Sequence, residues 1–449
     1  MATIHPFRGV RFNARKISDL SQVVSQPYDR VRYGLQEKYY DQNPYNIVRI
    51  IKGKELPTDV PDRRQGPNVY TRAKAYYDLW CAEGILRREE KPAFYAYHQT
   101  FTVGGQTMTR KGFVAAFELS PFDEGVVLPH ERTHAGPKVD RLRLLRSTEV
   151  NWGQIFMLYP DPQHEINALL EAAIAGREPD VDVVEMFEKD VRQQMWAVTD
   201  EATIWAVRQK MGPKKNLIIA DGHHRYETAL DYRDEMRRQN PDATADAAFN
   251  YRMVTLVSMD DPGLVILPTH REIFDCPQVT GADVLERARP YFEVLPVADM
   301  AACLAEMKAN EAKHAFGFYA ASTAGGHYHV LVLKSPDLIA QLIATDRSLA
   351  WKSLDVSILH QILLEQVAGL SAEAIERQVN IRYHRDPGLP VENVNQGKGE
   401  FVFFLNPTRM TQVKECAEQG EKMPQKSTDF YPKVVTGLIM MSVRADERI

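Results

Sequence analysis

Asn216-Leu217-Ile218-Ile219-Ala220-Asp221-Gly222-His223-His224-Arg225 is the stretch on which the reading of this chain turns. Its first half is a short apolar run, Asp221-Gly222 is a turn, and a helical pattern begins at His223. Tyr226, Ala229, Leu230 and Arg233 fall on one face of that helix, and Asn240-Pro241 stops it. A strand that ends in Asp-Gly and passes at once into a helix points several backbone N–H groups and the positive helix end at one spot. Gly222 permits a sharp turn and a close approach by a ligand. His223, His224 and Arg225 add imidazole and guanidinium donors where an anion would sit. Asp221 suits such a place if it orients a histidine or meets a Mg²⁺ that bridges phosphates. The plainer alternative makes Asp221 an N-cap and the two histidines surface polar groups. Adjacent histidines at a strand-to-helix turn are hard to explain by packing, which favours a site.

Working outward, strands and helices interleave throughout. Tyr70 to Leu86 reads as a helix, and Phe94 to Phe117 as a hairpin about Gly104-Gly105. Gln154 to Tyr159 reads as a buried strand. Met253 to Ser258 and Leu264 to Leu267 read as a strand pair across Asp260-Asp261-Pro262-Gly263. Further on, helices are expected at 282–291, 300–312, 354–367 and 408–418. A hairpin is expected at 316–333, across Ala324-Gly325-Gly326. The proline-bearing stretch 55–67 reads as a surface loop. The class expected is α/β to α+β, a strand-turn-helix core elaborated with mixed sheets and extra helices. Three regions, 1–120, 121–275 and 276–449, are expected to depend on one another.

The chain has 449 residues, 44% of them hydrophobic and 26% charged, so a large core is within reach. With 55 Lys+Arg against 60 Asp+Glu the formal net charge is -5, which argues against nucleic acid held by bulk positive charge. Cys81, Cys276, Cys303 and Cys416 form no C-x-x-C pair, so a thiolate zinc site is not expected. No apolar h-region follows the basic start, and 434–443 is about half the length a bilayer requires. Cytoplasmic placement, without a membrane partner, is the expectation; the oligomeric state is left open.

P-loop, G-x-G-x-x-G and G-x-S-x-G patterns are missing. His130-Glu131-Arg132-Thr133-His134 does satisfy H-E-x-x-H, yet the zinc-protease reading needs that pentad inside a helix. Gly136-Pro137 just beyond argues against it. A metal-dependent hydrolase built on His130, His134, His223 and His224 is kept only as an alternative. The stretch from His130 to Arg141 reads instead as a loop rich in phosphate-type donors: Arg132, Lys138 and Arg141. Glu131 is the leading candidate for a base. Lys426, Ser427 and Lys433 are candidates for a lid, with a plain surface tail as the alternative.

Asp221-Gly222-His223-His224-Arg225 followed by Tyr226-Glu227-Thr228-Ala229-Leu230 resembles the signature of bacterial and archaeal proteins grouped as domain of unknown function 1015. The resemblance runs nearly the whole chain. It takes in Gln26-Pro27-Tyr28-Asp29, Asn43-Pro44-Tyr45, His130-Glu131-Arg132-Thr133 and Pro268-Thr269-His270-Arg271. Leu354-Asp355-Val356, Met423-Pro424-Gln425-Lys426-Ser427-Thr428 and Phe430-Tyr431-Pro432-Lys433 complete it. Over some ten residues the turn is also similar to that of the ParB/sulfiredoxin superfamily, which includes a kinase acting on free serine. That similarity implies that His223, His224 and Arg225 contact nucleotide phosphates and that Asp221 lies near the metal or the hydroxyl. A sulfiredoxin would need a cysteine in the turn, and a partition protein a helix-turn-helix with a basic surface; neither is present.

The resulting expectation is a nucleotide-dependent phosphotransferase acting on a small hydroxyl metabolite such as an amino acid, using ATP or ADP with Mg²⁺. Asp221, His223 and Glu131 would be its catalytic groups. Gly222, His223, His224, Arg225, Arg132, Lys138 and Arg141 would bind phosphate, with Asp221 meeting the metal. A non-catalytic nucleotide-binding regulator is the second reading.

Overall fold

The structure is a computed structural model that describes the whole chain except Tyr33, 61–65, Arg132, His134 and 322–326. The chain divides into two compact units. The first comprises Met1–Pro129, Thr133–Val265 and Pro432–Ile449; the second comprises His130–Arg132 and Ile266–Tyr431.

The first unit is built on a mixed sheet. Its strands follow the order Val127–Leu128, Leu217–Asp221, Ile155–Tyr159, Tyr251–Ser258, Gln106–Glu118, Phe94–Val103, Val191–Val198 and Val181–Val184. Ile4–His5 pairs with Gln106–Glu118 as well. Leu217–Asp221 runs parallel to Val127–Leu128 and antiparallel to Ile155–Tyr159. One face carries the core: Phe113, Ile155, Met157, Leu217, Ile219, Val254 and Leu256 pack with Tyr226 and Ala229 of the helix His223–Gln239. Fully burying each large apolar side chain contributes about 1.5–3 kcal/mol, so this face is the main reason the helix docks where it does. Tyr226, Ala229 and Arg233 are buried and Leu230 packs partly against the core, as the helical spacing predicts.

Two local expectations fail here. Tyr251–Ser258 does not pair with the segment after Asp260-Gly263. Its two edges are taken by Gln106–Glu118, antiparallel, and Ile155–Tyr159, parallel. Nor is His130 to Arg141 all loop, because the helix Ala135–Thr148 already includes Lys138 and Arg141. Pro137 lies in the first turn, where its missing N–H has no intrahelical partner to lose, so it starts the helix instead of breaking it. The H-E-x-x-H pentad precedes that helix.

An antiparallel sheet organises the second unit. Its strand order is Phe292–Val297, His327–Leu333, Ala315–Ala320, Phe401–Phe404, His270–Ile273 and Ile381–His384. Helices cover both faces. Val284 and Ala288 of Gly281–Ala288 join the residues of 355–367 on one side, and Cys303 and Met307 of Met300–Ala309 pack with Val394 on the other. The expected helix 354–367 is present, but only Asp355–Ile358 is α-helical and Leu359–Val367 widens into π-helical turns. The residues Ala324-Gly325-Gly326, assigned to a hairpin turn, lie outside the described residues. Among the described residues no helix is long and apolar enough to cross a membrane.

Candidate functional site

The strand Leu217–Asp221 and the helix His223–Gln239 are separated by Gly222 alone, and the strand is irregular just before it. Ile218 faces Leu158 and Ile219 faces Met157, but Asp221 faces Phe156, so an extra residue is taken up between Ile219 and Asp221. Cross-strand partners share a face of the sheet. Ile219 therefore joins Met157 in the core, while Asp221 joins Phe156 on the opposite face. Strict alternation would have sent the carboxylate in beside Leu217 and Ile219. The bulge re-aims it.

Gly222 holds φ at +97°, a backbone conformation that L-residues adopt only with strain, and it is the N-cap of the helix without a side-chain bond. Asp221 does not supply that cap. Its Oδ2 accepts a hydrogen bond from Arg225 Nη2 at 2.6 Å. With glycine as N-cap the helix carries no capping side chain at that position, and its positive end is directed at the turn.

Two consecutive carbonyls place two guanidinium groups. Arg225 Nη1 donates to the carbonyl of Gln154, and Arg252 Nη2 donates to that of Gly153 at 2.7 Å. Among the described residues no carboxylate pairs with Arg252. Its residue is 5% exposed, and burial together with the neighbouring Arg225 pushes its pKa down to about 9. Among the described residues, Arg252 Nε, both amide atoms of Gln154 and Thr228 Oγ1 are buried without hydrogen-bond partners. Unsatisfied buried polar atoms are rare in folded proteins, and an unpaired buried cation is costlier still. Arg252 and Thr228 border a recess lined also by Tyr28, Arg141, Trp152 and Arg225. The Arg141 guanidinium lies 4.0 Å from the Tyr28 ring centre, donating to the Ile51 carbonyl at 2.9 Å and to Asp140 Oδ2 at 2.8 Å.

Burial opposes ionisation of Asp221, but Lys433, Arg225 and Arg30 around it outweigh that and hold its carboxyl below the usual carboxylate range. Lys433 is delivered by a buried network. Gln99 Nε2 donates to the Lys433 carbonyl at 3.0 Å, and Arg110 Nη2 to the Pro432 carbonyl at 2.6 Å. Arg110 itself lies 4.4 Å from the ring centre of Phe156, the residue opposite Asp221.

The residues singled out in the sequence are therefore distributed unevenly. Gly222, His223, His224 and Arg225 form the turn, with His223 buried, and Arg141 lines the recess. Lys433 is the one lid candidate in the first unit. Lys138 is engaged by Glu227 at 2.7 Å. Arg132 and His134 lie outside the described residues. His130, Glu131, Lys426 and Ser427 belong to the second unit. There His130 is buried with Nε2 2.9 Å from Thr428 Oγ1, and Ser427 Oγ donates to the Pro424 carbonyl at 2.6 Å. Among the described residues no three His, Cys, Asp or Glu side chains gather as metal ligands. Sequence reading missed Arg252, Arg30, Tyr28 and Gln154. Arg252 did leave a signal: it is the only residue charged at neutral pH in the wholly buried strand Tyr251–Ser258.

A family model described as a protein of unknown function, DUF1015, matches residues 4–357. The chain belongs to that family. No curated protein matches it. Among solved structures, "Free serine kinase in complex with AMP" is 13% identical, with 72% of this chain and 90% of that one covered at a TM-score of 0.34. A conserved hypothetical protein from Pyrococcus furiosus is 14% identical, covering 72% of this chain and 94% of its own, at 0.31. SbnI with a C-terminal truncation, from Staphylococcus aureus, is 10% identical, with 74% and 83% covered, at 0.28. Likenesses this weak carry nothing about the activity of the present DUF1015 member, which has to be argued from its own residues.

The buried charge of Arg252 makes itself felt in stability. Arg252→Met keeps the bulk and removes an unpaired buried charge, so the ligand-free protein is expected to gain about 1 kcal/mol. Affinity for phosphate-bearing ligands should fall in the same variant. Urea unfolding without ligand reads the first effect; a loss of stability there would mean that Arg252 is structural.

Proposed function

We propose that this DUF1015 protein binds a nucleotide, ATP or ADP with Mg²⁺, at the Asp221–Arg225 turn and transfers a phosphoryl group to a small hydroxyl metabolite such as an amino acid. The observation that carries the reading is the buried guanidinium of Arg252. Among the described residues it has no acidic partner, and it lies beside Arg225 where a helix starts from a glycine N-cap. Phosphoryl transfer is mostly positioning and charge neutralisation, and the cations gathered in the first unit support that reading. Arg225, Arg252 and Arg141 would hold phosphate oxygens with the N–H groups of the first helical turn. Lys433 and Arg30 would balance Asp221. The carboxylate of Asp221 is a fitting oxygen ligand for Mg²⁺. Its ring of cations disfavours a bare metal ion and favours one that arrives with phosphates. His223 and Asp221 are the groups of the turn proposed to face the acceptor hydroxyl.

A thermal-shift series with ATP, ADP, CTP and GTP in the presence of Mg²⁺ tests the binding step. Ligand at 100 times its dissociation constant should add about 2.7 kcal/mol of stability. His223→Ala and Arg225→Ala should reduce that gain. An absent shift with every nucleotide, or an equal shift in both variants, overturns the reading. Incubation with labelled ATP and hydroxyl amino acids then separates a kinase from a nucleotide-binding regulator, because only the kinase yields a phosphorylated acceptor.

A further inference from the structure

The second unit buries a cation for which the proposed phosphotransfer has no use. In the strand His270–Ile273 successive side chains alternate between the faces of the sheet. Glu272 is fully met: His384 Nε2 lies 2.6 Å from its carboxylate, Arg382 Nη1 2.5 Å and Asn393 Nδ2 2.9 Å. Arg271 is not. It stands opposite Tyr383 and Phe403, on the face where Ile273, Ile381 and Phe403 pack with the residues of 355–367. The side chain is fully buried. Its guanidinium donates to the carbonyls of Thr269 and, at 3.0 Å, Lys426, and lies 5.4 Å from the Tyr383 ring centre. Among the described residues no carboxylate pairs with it.

Among the described residues, Arg271 Nε, Tyr383 Oη, Ser357 Oγ and His360 Nε2 are buried without hydrogen-bond partners. Ser357 and His360 are three residues apart and so lie on one side of their helix. That helix widens into π-helical turns from Leu359, a distortion that often accompanies functional sites. His360 is close enough to Arg271 for that charge, after burial, to lower its pKa to about 3, so the ring is neutral. All four atoms are then able to donate: a guanidinium N–H, two hydroxyls and the Nε2–H tautomer of imidazole. A water would accept some of these bonds and leave the charge unbalanced. An acceptor-only, negatively charged group answers both needs.

We propose that Arg271, Ser357, His360 and Tyr383 form a binding site for a small oxyanion, a phosphate or a carboxylate, in the second unit. The site is independent of the Asp221 turn. It also gives a role to two stretches prominent in the sequence, Thr269-His270-Arg271 and Lys426-Ser427, whose backbone carbonyls hold the guanidinium from behind.

The test uses the full chain carrying Arg225→Ala, so that the first unit's cation cluster is weakened. Its melting temperature is followed against sodium phosphate and, separately, sodium acetate, each balanced with chloride to constant ionic strength. One of the two anions should raise it saturably, and the more effective one names the ligand class. Arg271→Gln should weaken that binding by about ten-fold or more, the scale of a lost charged hydrogen bond. Tyr383→Phe and Ser357→Ala should each raise the melting temperature without anion and shrink the anion-dependent shift. In histidine-labelled protein, the His360 ring signal, assigned by its loss in His360→Gln, should move during the titration. No saturable shift with either anion overturns the proposal, as does an equal shift in every variant. If Arg271→Gln does not fold, the combined Tyr383→Phe and Ser357→Ala variant decides on the same terms.

Discussion

Gly222→Val is expected to lower stability by about 2–4 kcal/mol and to abolish nucleotide-dependent stabilisation. Two causes add. The position sits at φ +97°, where a β-branched residue is strained in any surroundings. A Cβ there would also lie 3.0 Å from Arg225 Nε and 3.1 Å from its Cζ and Nη2. That guanidinium cannot swing aside cheaply, because it is held by Asp221 and by the Gln154 carbonyl. Gly222→Ala meets the same contact with less backbone strain and should cost about half as much. Urea midpoints and a nucleotide titration measure both consequences. A valine variant as stable as the parent would mean that the turn is not held as described.

Asp221→Asn should cost about 2–3 kcal/mol at neutral pH, at or below the roughly 3–5 kcal/mol of a fully buried ion pair because the side chain is 23% exposed. The amide keeps the shape but leaves Lys433, Arg225 and Arg30 facing one another. The pH dependence gives a second signature. These cations outweigh burial and hold the folded carboxyl below its unfolded value of about 3.9. Its contribution is therefore complete above the unfolded value and is lost as pH falls through the folded one. Acid unfolding of the parent should include this loss, and the asparagine variant should show a shallower acid limb. Parallel acid limbs in the two proteins would remove Asp221 from the account.

Much of the site's local frame was legible in the residues. The apolar run 216–220, the Asp-Gly turn and the Tyr226/Ala229/Arg233 face depend on neighbours in sequence, and a strand, a turn and a helix stand there. The bulge was not legible, since it is defined by which residue of Ile155–Tyr159 lies across from Asp221. The helix Ala135–Thr148 was misjudged because proline was weighed as a breaker without regard to its place in the first turn. The strand pairing about Asp260-Gly263 was misjudged because a turn signal says that the chain bends, not with what it then pairs. Arg252 could have been found as a charge inside an otherwise uncharged buried strand, whereas the orphaned state of Gln154 and Thr228 exists only once the backbone around them is closed.

By itself the sequence determined the class of the protein, the strand-turn-helix with its histidines and arginine, and membership of the DUF1015 family. These rest on local periodicity, turn chemistry and ordered motifs, all carried by residues close together in the chain. Tertiary structure alone decided which charges meet. It brought Lys433 to Asp221 by returning Pro432–Ile449 to the first unit, set Arg252 beside Arg225 through two adjacent carbonyls, and in the second buried Arg271 with no acid pairing it among the described residues. Charge interactions act through space at a few ångströms and are amplified where water is excluded, so neither their partners nor their strength is written in the order of residues.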